Sequence, residues 1–223
     1  MQAQHAPLTQ VAADKSGAHS PQFRAVFERM RTASRQAPAP SYAERIERLE
    51  RLAVAVRARQ NEIAETINSD FGNRSARETK LAEVLMLLDA IKYLKKNLKR
   101  WMKPEKRQVS LTYLPASARV HRQPLGVVGV ISPWNYPFHL GLGPTAVAIA
   151  AGNRVMIKPS EYTPGTSALL ATLCGEVFDP DVVSVVQGGP DVGEAFSRLP
   201  FDHLVYTGSV SYTHLTLPTI LRV

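Results

Sequence analysis

Three kinds of side chain in the second half of the sequence could take part in chemistry. Asn135 lies between two prolines in the run Pro133-Trp-Asn-Tyr-Pro137, and its amide could donate a hydrogen bond to a developing oxyanion without changing charge. Lys158 and Glu161 bring opposite charges together, and Cys174 is the only thiol. Simpler interpretations compete, because an asparagine between prolines is more often a turn residue and a Lys-Glu pair beside a helix start more often a surface ion pair. Cys174, in an apolar helical stretch, is predicted to be a core residue.

Alternating strand and helix patterns position these side chains. Apolar strand runs at 127–131, 154–157, 182–186 and 204–206 are separated by helical segments near 140–151, at 163–178 and from Pro190. Short apolar strands with crossover helices predict an α/β fold with a parallel sheet covered on both faces, and such sheets bind ligands at the carboxyl ends of their strands. The first strand lacks the G-x-G-x-x-G fingerprint of many dinucleotide-binding proteins, so the cofactor cannot be argued from that motif.

Long helices are predicted in the amino-terminal half. Residues 23–35 form a short amphipathic segment that a proline-containing run ends. Ser41 and Glu44 predict a capping box, which opens a helical pattern that continues to Phe71. A second helix follows and stops before Pro104. Its predicted apolar stripe consists of Leu81, Val84, Leu85, Leu88, Ile91, Leu98 and Trp101.

A change of pattern separates the helices from the strands. Alternating apolar residues around a Leu-Pro-Ala-Ser turn predict a β-hairpin over 108–123, outside the main fold, and such a hairpin could pair with another subunit. Residues 1–22 are small, polar and aperiodic, and we expect them to be disordered.

Composition and charge narrow the function classes. The net charge of +8 divides into +11 over residues 1–123 and −3 over residues 124–223, so the basic excess belongs to the amino-terminal helices. A solvated basic helix face is the simpler interpretation, and an acidic partner or anionic lipid surface is the alternative. One cysteine leaves no C-x-x-C metal or redox motif, and no metal site is predicted. The absence of a long apolar run and of a secretory pattern predicts a cytoplasmic protein with no integral membrane segment.

Four sequence blocks resemble the aldehyde dehydrogenase superfamily, in the family's order. They are Pro124-Leu-Gly-Val-Val-Gly-Val-Ile-Ser-Pro-Trp-Asn-Tyr-Pro-Phe138, Ala151-Gly-Asn-Arg-Val-Met-Ile-Lys-Pro-Ser-Glu161, Gln187-Gly-Gly-Pro190 and Tyr206-Thr-Gly-Ser209. The resemblance extends back to about residue 23, and the helical half is most similar to coniferyl aldehyde dehydrogenases. It implies an incomplete Rossmann-like cofactor domain, preceded by long helices and a protruding hairpin.

The resemblance also implies roles for single residues. Asn135 matches the oxyanion-holding asparagine, and Lys158 and Glu161 match residues on the adenosine ribose, where a carboxylate should disfavour the 2′-phosphate of NADP. NAD is therefore the expected cofactor, with NADP possible, and a small-molecule aldehyde is the expected substrate. The other cofactor-binding residues that the resemblance implies are Ile131, Ser132, Pro133, Trp134, Ser160, Gly188, Gly189, Gly193, Gly208 and Ser209.

The sequence departs from the family after Ser209. The family continues with a helix and later supplies a catalytic glutamate and cysteine, whereas residues 210–223 show neither the helix pattern nor those motifs. This reading divides the chain into a disordered segment (1–22), a helical part (23–107), an oligomerisation hairpin (108–123), a truncated NAD(P)-binding part (124–209) and a non-family tail (210–223).

Three hypotheses for function follow. The first is an aldehyde dehydrogenase that forms a homodimer when intact, of which this chain alone is inactive. The second is a non-catalytic nucleotide-binding or scaffold protein. The third is binding of nucleic acid or membrane by the basic helices, which the placement of the charge makes the weakest, so no nucleic-acid partner is expected.

Overall fold

The structure, a computed structural model, describes residues 20–208 and has helices on both sides of a small parallel sheet. The helices are α1 (Ser20–Gln36), α2 (Tyr42–Ala58), α3 (Gln60–Phe71), α4 (Ala76–Thr79), α5 (Met86–Trp101), α6 (Pro137–Ala150), α7 (Pro164–Val177) and α8 (Pro190–Ser197). The strands are β1 (Glu105–Arg107), β2 (Ala118–Val120), β3 (Val127–Ile131), β4 (Arg154–Lys158), β5 (Val183–Val185) and β6 (His203–Tyr206). A π-helical segment spans Lys80–Leu85 and a 3-10 turn spans Leu111–Tyr113. The predicted tail 210–223, Ser209 and most of the predicted segment 1–22 lie outside the described residues.

The main sheet has the order β5-β4-β3-β6, and every neighbouring pair is parallel. This confirms the predicted α/β class and the strand-helix alternation. Successive side chains of a strand point to opposite faces, and both faces of β3 are buried. Val128 and Val130 enter the core beneath α2, α3 and α5 to α7, whereas Val127 and Ile131 enter a second core beneath α1 and α8. The sheet is therefore covered on both sides, as its apolar strands predict.

The single helical pattern predicted to run up to Phe71 is two helices. The capping box of Ser41 and Glu44 is present, with both of its hydrogen bonds, but the helix breaks at Arg59. The Arg59 guanidinium binds Glu176 of α7, and α3 packs on α7 after the break. The sequence pattern failed here because both helices bury residues at helical spacing, and one non-helical residue does not interrupt that spacing.

The predicted stripe of the second long helix is wrong at two positions. Leu81 and Leu85 are 61% and 52% exposed. The π segment Lys80–Leu85 contains them, and its wider turn changes the helical phase, so that Thr79, Glu83 and Leu87 are buried instead. Val84, Ile91 and Leu98 are buried as predicted.

A two-stranded hairpin forms, but the hairpin predicted over 108–123 is wrong in its first strand. The first strand is β1, immediately before the predicted range, and it pairs antiparallel with β2. Residues 111–113 form the 3-10 turn instead. Glu105 forms ion pairs with Arg107 and Arg122, which favours pairing through the charged segment. Because β1 is polar on both faces, it has no apolar alternation that could reveal it.

The amino-terminal helix begins earlier than predicted. It starts at Ser20, so residues 20–22 are helical and the predicted disordered segment 1–22 is wrong at its end. Phe23, Phe27 and Met30 of this helix are buried in the second core. Between residues 20 and 208, no helix has both the length and the apolar character needed to cross a membrane.

Candidate functional site

A cleft opens where β3, β4 and β6 end. It has a volume of about 120 Å³. Its lining residues are Ile131, Ser132, Pro133, Trp134, Lys158, Ser160, Glu161, Tyr162, Tyr206, Thr207 and Gly208. Eight of these belong to the residues expected to bind the cofactor, and the carboxyl ends of parallel strands are where ligands of such sheets bind.

The backbone at the strand ends continues the sheet into the cleft. The Ser132 amide donates to the carbonyl of Lys158 at 3.1 Å, and the Thr207 amide donates to the carbonyl of Ile131 at 3.1 Å. These bonds fix the residues that follow three neighbouring strands. The Ser132 side chain is buried, and its hydroxyl has no hydrogen-bond partner in residues 20–208. This hydroxyl lies against Gly141 of α6, where an added Cβ would be 3.5 Å from Oγ, so it is enclosed beneath the helix rather than open to the cleft.

Lys158 and Glu161 form the charged wall of the cleft. Lys158 Nζ lies 2.6 Å from Glu161 Oε2, and the lysine side chain is only 3% exposed. The interpretation of this pair as a surface ion pair is therefore wrong. Ser160, between them, is buried and accepts a hydrogen bond from the amide of Tyr162. An ammonium group held by a carboxylate beside an open cleft can bind hydroxyl groups of a ligand with donors and acceptors together.

Asn135 lies on the exposed turn between β3 and α6. Its Oδ1 accepts a hydrogen bond from the amide of Tyr136 at 3.0 Å. Nδ2 makes no hydrogen bond within the described part of the chain, so it is free to donate to a ligand oxygen. The turn stands beside the cleft, because Trp134 is in the lining, but Asn135 itself is not among the lining residues.

Two residues that the sequence did not single out hold this turn. Arg74 Nη1 donates to the carbonyl of Asn135 at 2.5 Å and lies 3.5 Å from Glu83 Oε1. Glu83 Oε2 accepts from the amides of Phe138 and His139 in the first turn of α6, at 2.8 and 3.2 Å. Burial raises the pKa of Glu83, against the opposing effects of these hydrogen bonds and of Arg74. The one sequence signal for Glu83 was that a charged residue stands within an apolar helical stripe.

Comparisons with known proteins agree with the sequence blocks. A sequence model described as the aldehyde dehydrogenase family matches residues 3–216. The chain belongs to the aldehyde dehydrogenase family. A probable coniferyl aldehyde dehydrogenase from Pseudomonas aeruginosa is 51% identical over 190 residues, which are 85% of this chain and 40% of that protein. A coniferyl aldehyde dehydrogenase from Pseudomonas sp. is 42% identical over 85% of this chain and 39% of its own length.

Solved structures show the same fold. The substrate-bound aldehyde dehydrogenase of Staphylococcus aureus superposes with a TM-score of 0.84 at 30% identity, over 88% of this chain and 43% of that chain. The chain therefore spans about 40% of the length of the relatives that it matches. Its α/β architecture is the incomplete Rossmann-like part of an aldehyde dehydrogenase.

The glycines expected near the cofactor are not all brought to the cleft. Gly208 is in the lining, but Gly188 and Gly189, between β5 and α8, and Gly193 of α8 are not among the lining residues. Gly188 has a φ of 151°, and a Cβ there would lie 2.5 Å from Val192, so the turn requires glycine. A role for these three in cofactor binding stays a prediction. Ser209 lies outside the described residues.

Two other residues with reactive side chains, Cys174 and His139, do not line the cleft. Cys174 is 1% exposed within the core, which confirms the sequence prediction, and burial raises the pKa of its thiol to about 12. His139 is half-buried, and burial lowers its pKa. In the described range, no three His, Cys, Asp or Glu side chains form a metal-binding group.

A larger cavity lies at the other end of the sheet. It measures about 620 Å³ and is lined by residues near the amino ends of β3 and β4, including Gly126 and Arg154, and by the connection after α1. None of the residues expected to bind cofactor or substrate lies there. We assign the functional site to the smaller cleft, because Lys158, the last residue of β4, and the Asn135 turn after β3 lie at the carboxyl ends of the strands.

Proposed function

We propose that the intact protein, of which this chain supplies the cofactor-binding part, oxidises an aldehyde to the carboxylic acid with NAD⁺, and that coniferyl aldehyde or another aromatic aldehyde is the substrate. The observation that carries this proposal is the cleft at the strand ends, where eight of the twelve residues expected to bind the cofactor meet beside the Asn135 turn. The substrate class is taken from the relatives named coniferyl aldehyde dehydrogenase.

The charged residues of the cleft fit the adenosine ribose of the dinucleotide. Lys158 and Glu161 would bind the hydroxyls of the adenosine ribose. The carboxylate of Glu161 would repel a 2′-phosphate, which favours NAD over NADP. Trp134, which is 54% exposed, offers an aromatic surface at the edge of the cleft. When bound, the nicotinamide supplies the acceptor for hydride.

Asn135 would stabilise negative charge on the substrate oxygen. Attack on an aldehyde carbonyl by a thiolate places charge on that oxygen, and a fixed amide donor lowers the energy of the transition state. In this proposal Nδ2 of Asn135 is the donor, because Oδ1 already accepts from the backbone.

The nucleophile is not Cys174. Its thiol, with a pKa near 12, stays protonated at neutral pH, and its side chain is enclosed in the core. We expect the cysteine, and the glutamate that activates water for hydrolysis of the thioester, in the part of the family sequence that follows residue 209. The chain by itself is then expected to bind NAD⁺ without oxidising aldehydes. Homodimerisation and a cytoplasmic location stay predictions.

Calorimetric titration of the 223-residue chain with NAD⁺ and with NADP⁺ tests the cofactor assignment. We expect NAD⁺ to bind more tightly, and Glu161→Gln to reduce this preference. Glu65→Gln, at an exposed position of α3, is the matched control and should leave the preference unchanged. Failure of NAD⁺ to bind would contradict the cleft as a cofactor site.

A fusion enzyme tests the reaction. Residues 1–208 would be joined to the part of the Pseudomonas aeruginosa relative that follows the aligned region, and NADH formation measured with coniferyl aldehyde. We expect activity, and a fall in kcat of about 10²- to 10³-fold with Asn135→Ala. Binding of NAD⁺ by the chain together with an inactive, folded fusion would favour the non-catalytic nucleotide-binding alternative.

A further inference from the structure

Arg74 and Glu83 are a buried pair of opposite charges behind the Asn135 turn. Their side chains are 7% and 0% exposed. Removal of two charges from water costs several kcal/mol per ion, so a buried pair is a weak means of stabilising a fold. Its geometry indicates a different use, because each partner is also bound to the segment that carries Asn135.

Each partner holds one end of this segment. Arg74 donates to the carbonyl of Asn135 at 2.5 Å, and Glu83 accepts from the amides of Phe138 and His139, which follow within four residues. The two contacts therefore fix both the turn and the start of α6. The Nη1 of Arg74 joins them, because it lies near both the Asn135 carbonyl and Glu83.

Two aromatic rings also contact the Arg74 guanidinium. The guanidinium carbon lies 4.8 Å from the centre of the Phe71 ring and 4.5 Å from the centre of the Tyr136 ring. Phe71 is also 6.1 Å, centre to centre, from Trp134 of the cleft. Planar guanidinium groups stack on rings and donate in fixed directions, which a lysine ammonium does not do.

The π segment places Glu83 in this network. Glu83 and Val84 are adjacent in sequence and both buried, together with Thr79 and Leu87. The wide turn allows the carboxylate to face the start of α6 while Val84 stays in the core. Single π turns occur often at functional sites.

We propose that Arg74, held by Glu83, is a positioning residue that fixes the Asn135 turn for oxyanion binding. This inference rests on the proposed function, because it assigns Arg74 to the same reaction. It predicts that loss of Arg74 weakens catalysis without weakening cofactor binding, since Arg74 is not in the lining of the cleft.

The first test needs no catalytic activity. The side-chain amide resonances of Asn135 and Asn153 would be recorded by NMR in the 223-residue chain, with Arg74→Met, Arg74→Lys and the control Arg77→Met. Asn153 lies at the opposite end of the sheet and binds the amides of Leu125 and Gly126. We expect Arg74→Met to shift or broaden the Asn135 resonances alone, Arg74→Lys to do so less, and the exposed Arg77→Met to change neither.

The outcomes distinguish a role of Arg74 in fixing the Asn135 turn from a general role in stabilising the fold. An unchanged Asn135 resonance in Arg74→Met would overturn the proposal, and equal changes at Asn135 and Asn153 would show that Arg74 supports the fold in general.

The second test uses the fusion enzyme. Arg74→Met is expected to lower kcat by up to about 10²-fold with little change in the KM for NAD⁺, because a misplaced catalytic group costs rate rather than binding. A rise in this KM with kcat unchanged would overturn the proposal. If Asn135→Ala leaves kcat unchanged, the oxyanion assignment fails by itself, and the NMR comparison still reports whether Arg74 fixes the turn.

Discussion

The two crossover helices α6 and α7 start in the same way and are used differently. Each has a proline at its first position, and neither receives a hydrogen bond from the side chain of its own N-cap residue. A carboxylate from the amino-terminal helices takes that role in both. Asp70 accepts from Gly165 and Thr166 of α7, and Glu83 accepts from two amides of α6.

The difference lies in burial and charge. Asp70 is partly exposed, and its two oxygens accept three hydrogen bonds from α7. Glu83 is fully buried and needs Arg74 as a counter-charge. The cap of α7 is thus a stabilising contact between the two halves of the molecule. The cap of α6 carries a desolvation cost, and it is the one beside the proposed catalytic turn.

The largest expected effect on stability is that of Glu83→Ala. It leaves the buried Arg74 with only the half-exposed Glu78 as a counter-charge and the first turn of α6 without an acceptor, so we expect a loss of about 3–5 kcal/mol in the free energy of unfolding. Urea denaturation of the 223-residue chain measures it. Glu78→Ala removes a 51% exposed carboxylate from the same arginine and should cost at most about 1 kcal/mol. Equal losses in the two variants would contradict the special position of Glu83.

Asp70→Ala should have a smaller effect. It removes an N-cap acceptor without stranding a buried charge, so about 1–2 kcal/mol is expected from the same denaturation experiment. Hydrogen exchange of the Gly165 and Thr166 amides should become faster while those of Phe138 and His139 stay protected. A loss as large as that of Glu83→Ala would remove the distinction between the two caps.

The smallest expected effect is on pH dependence. Because burial raises the pKa of Glu83 above its ordinary 4.5, the folded chain binds this proton more tightly than the unfolded chain. The contribution of Glu83 is present below pH 4.5 and is lost as the pH rises through the raised pKa. The free energy of unfolding of Glu83→Gln should therefore fall less over this pH range than that of the parent chain.

Other titratable groups also contribute to the pH dependence of stability, and they do so in both the parent chain and Glu83→Gln. The lowered pKa of His139 acts with the opposite sign, because the unfolded chain then binds the proton more tightly, and exposed Glu44 and Glu105 have lowered pKa values as well. The difference between the curves of the parent chain and Glu83→Gln is the quantity to compare. Parallel curves across this window would contradict the assignment to Glu83.

The sheet and most of the cleft could be predicted because their signals are local. The apolar runs of β3 and β4 allow few structures other than buried strands, and parallel strands bring their carboxyl ends to one edge. Lys158 is the last residue of β4, and Trp134 follows β3 after two residues. The resemblance to aldehyde dehydrogenases then supplied roles that turn and charge patterns alone would not have favoured.

The features that the sequence did not predict involve contacts that sequence patterns do not show. Arg74 meets Asn135 across 61 residues, and no periodicity connects an arginine in a short loop with a later turn. The strand β1 is stabilised by ion pairs rather than by an apolar face, so alternation could not reveal it. Arg59, at the break between α2 and α3, binds Glu176, which lies 117 residues away.

The π turn also bears on how this region tolerates insertions and deletions. One residue more or less in a regular helix rotates everything on one side of the change by about 100°. The segment Lys80–Leu85 already contains such a phase step, between the loop that carries Arg74 and the helix that packs on α6. A related sequence that differs by a single residue here would therefore keep the helical register on one side of the change and rotate the part on the other side. A gap placed in this segment when sequences are aligned marks a change in the environment of the Asn135 turn.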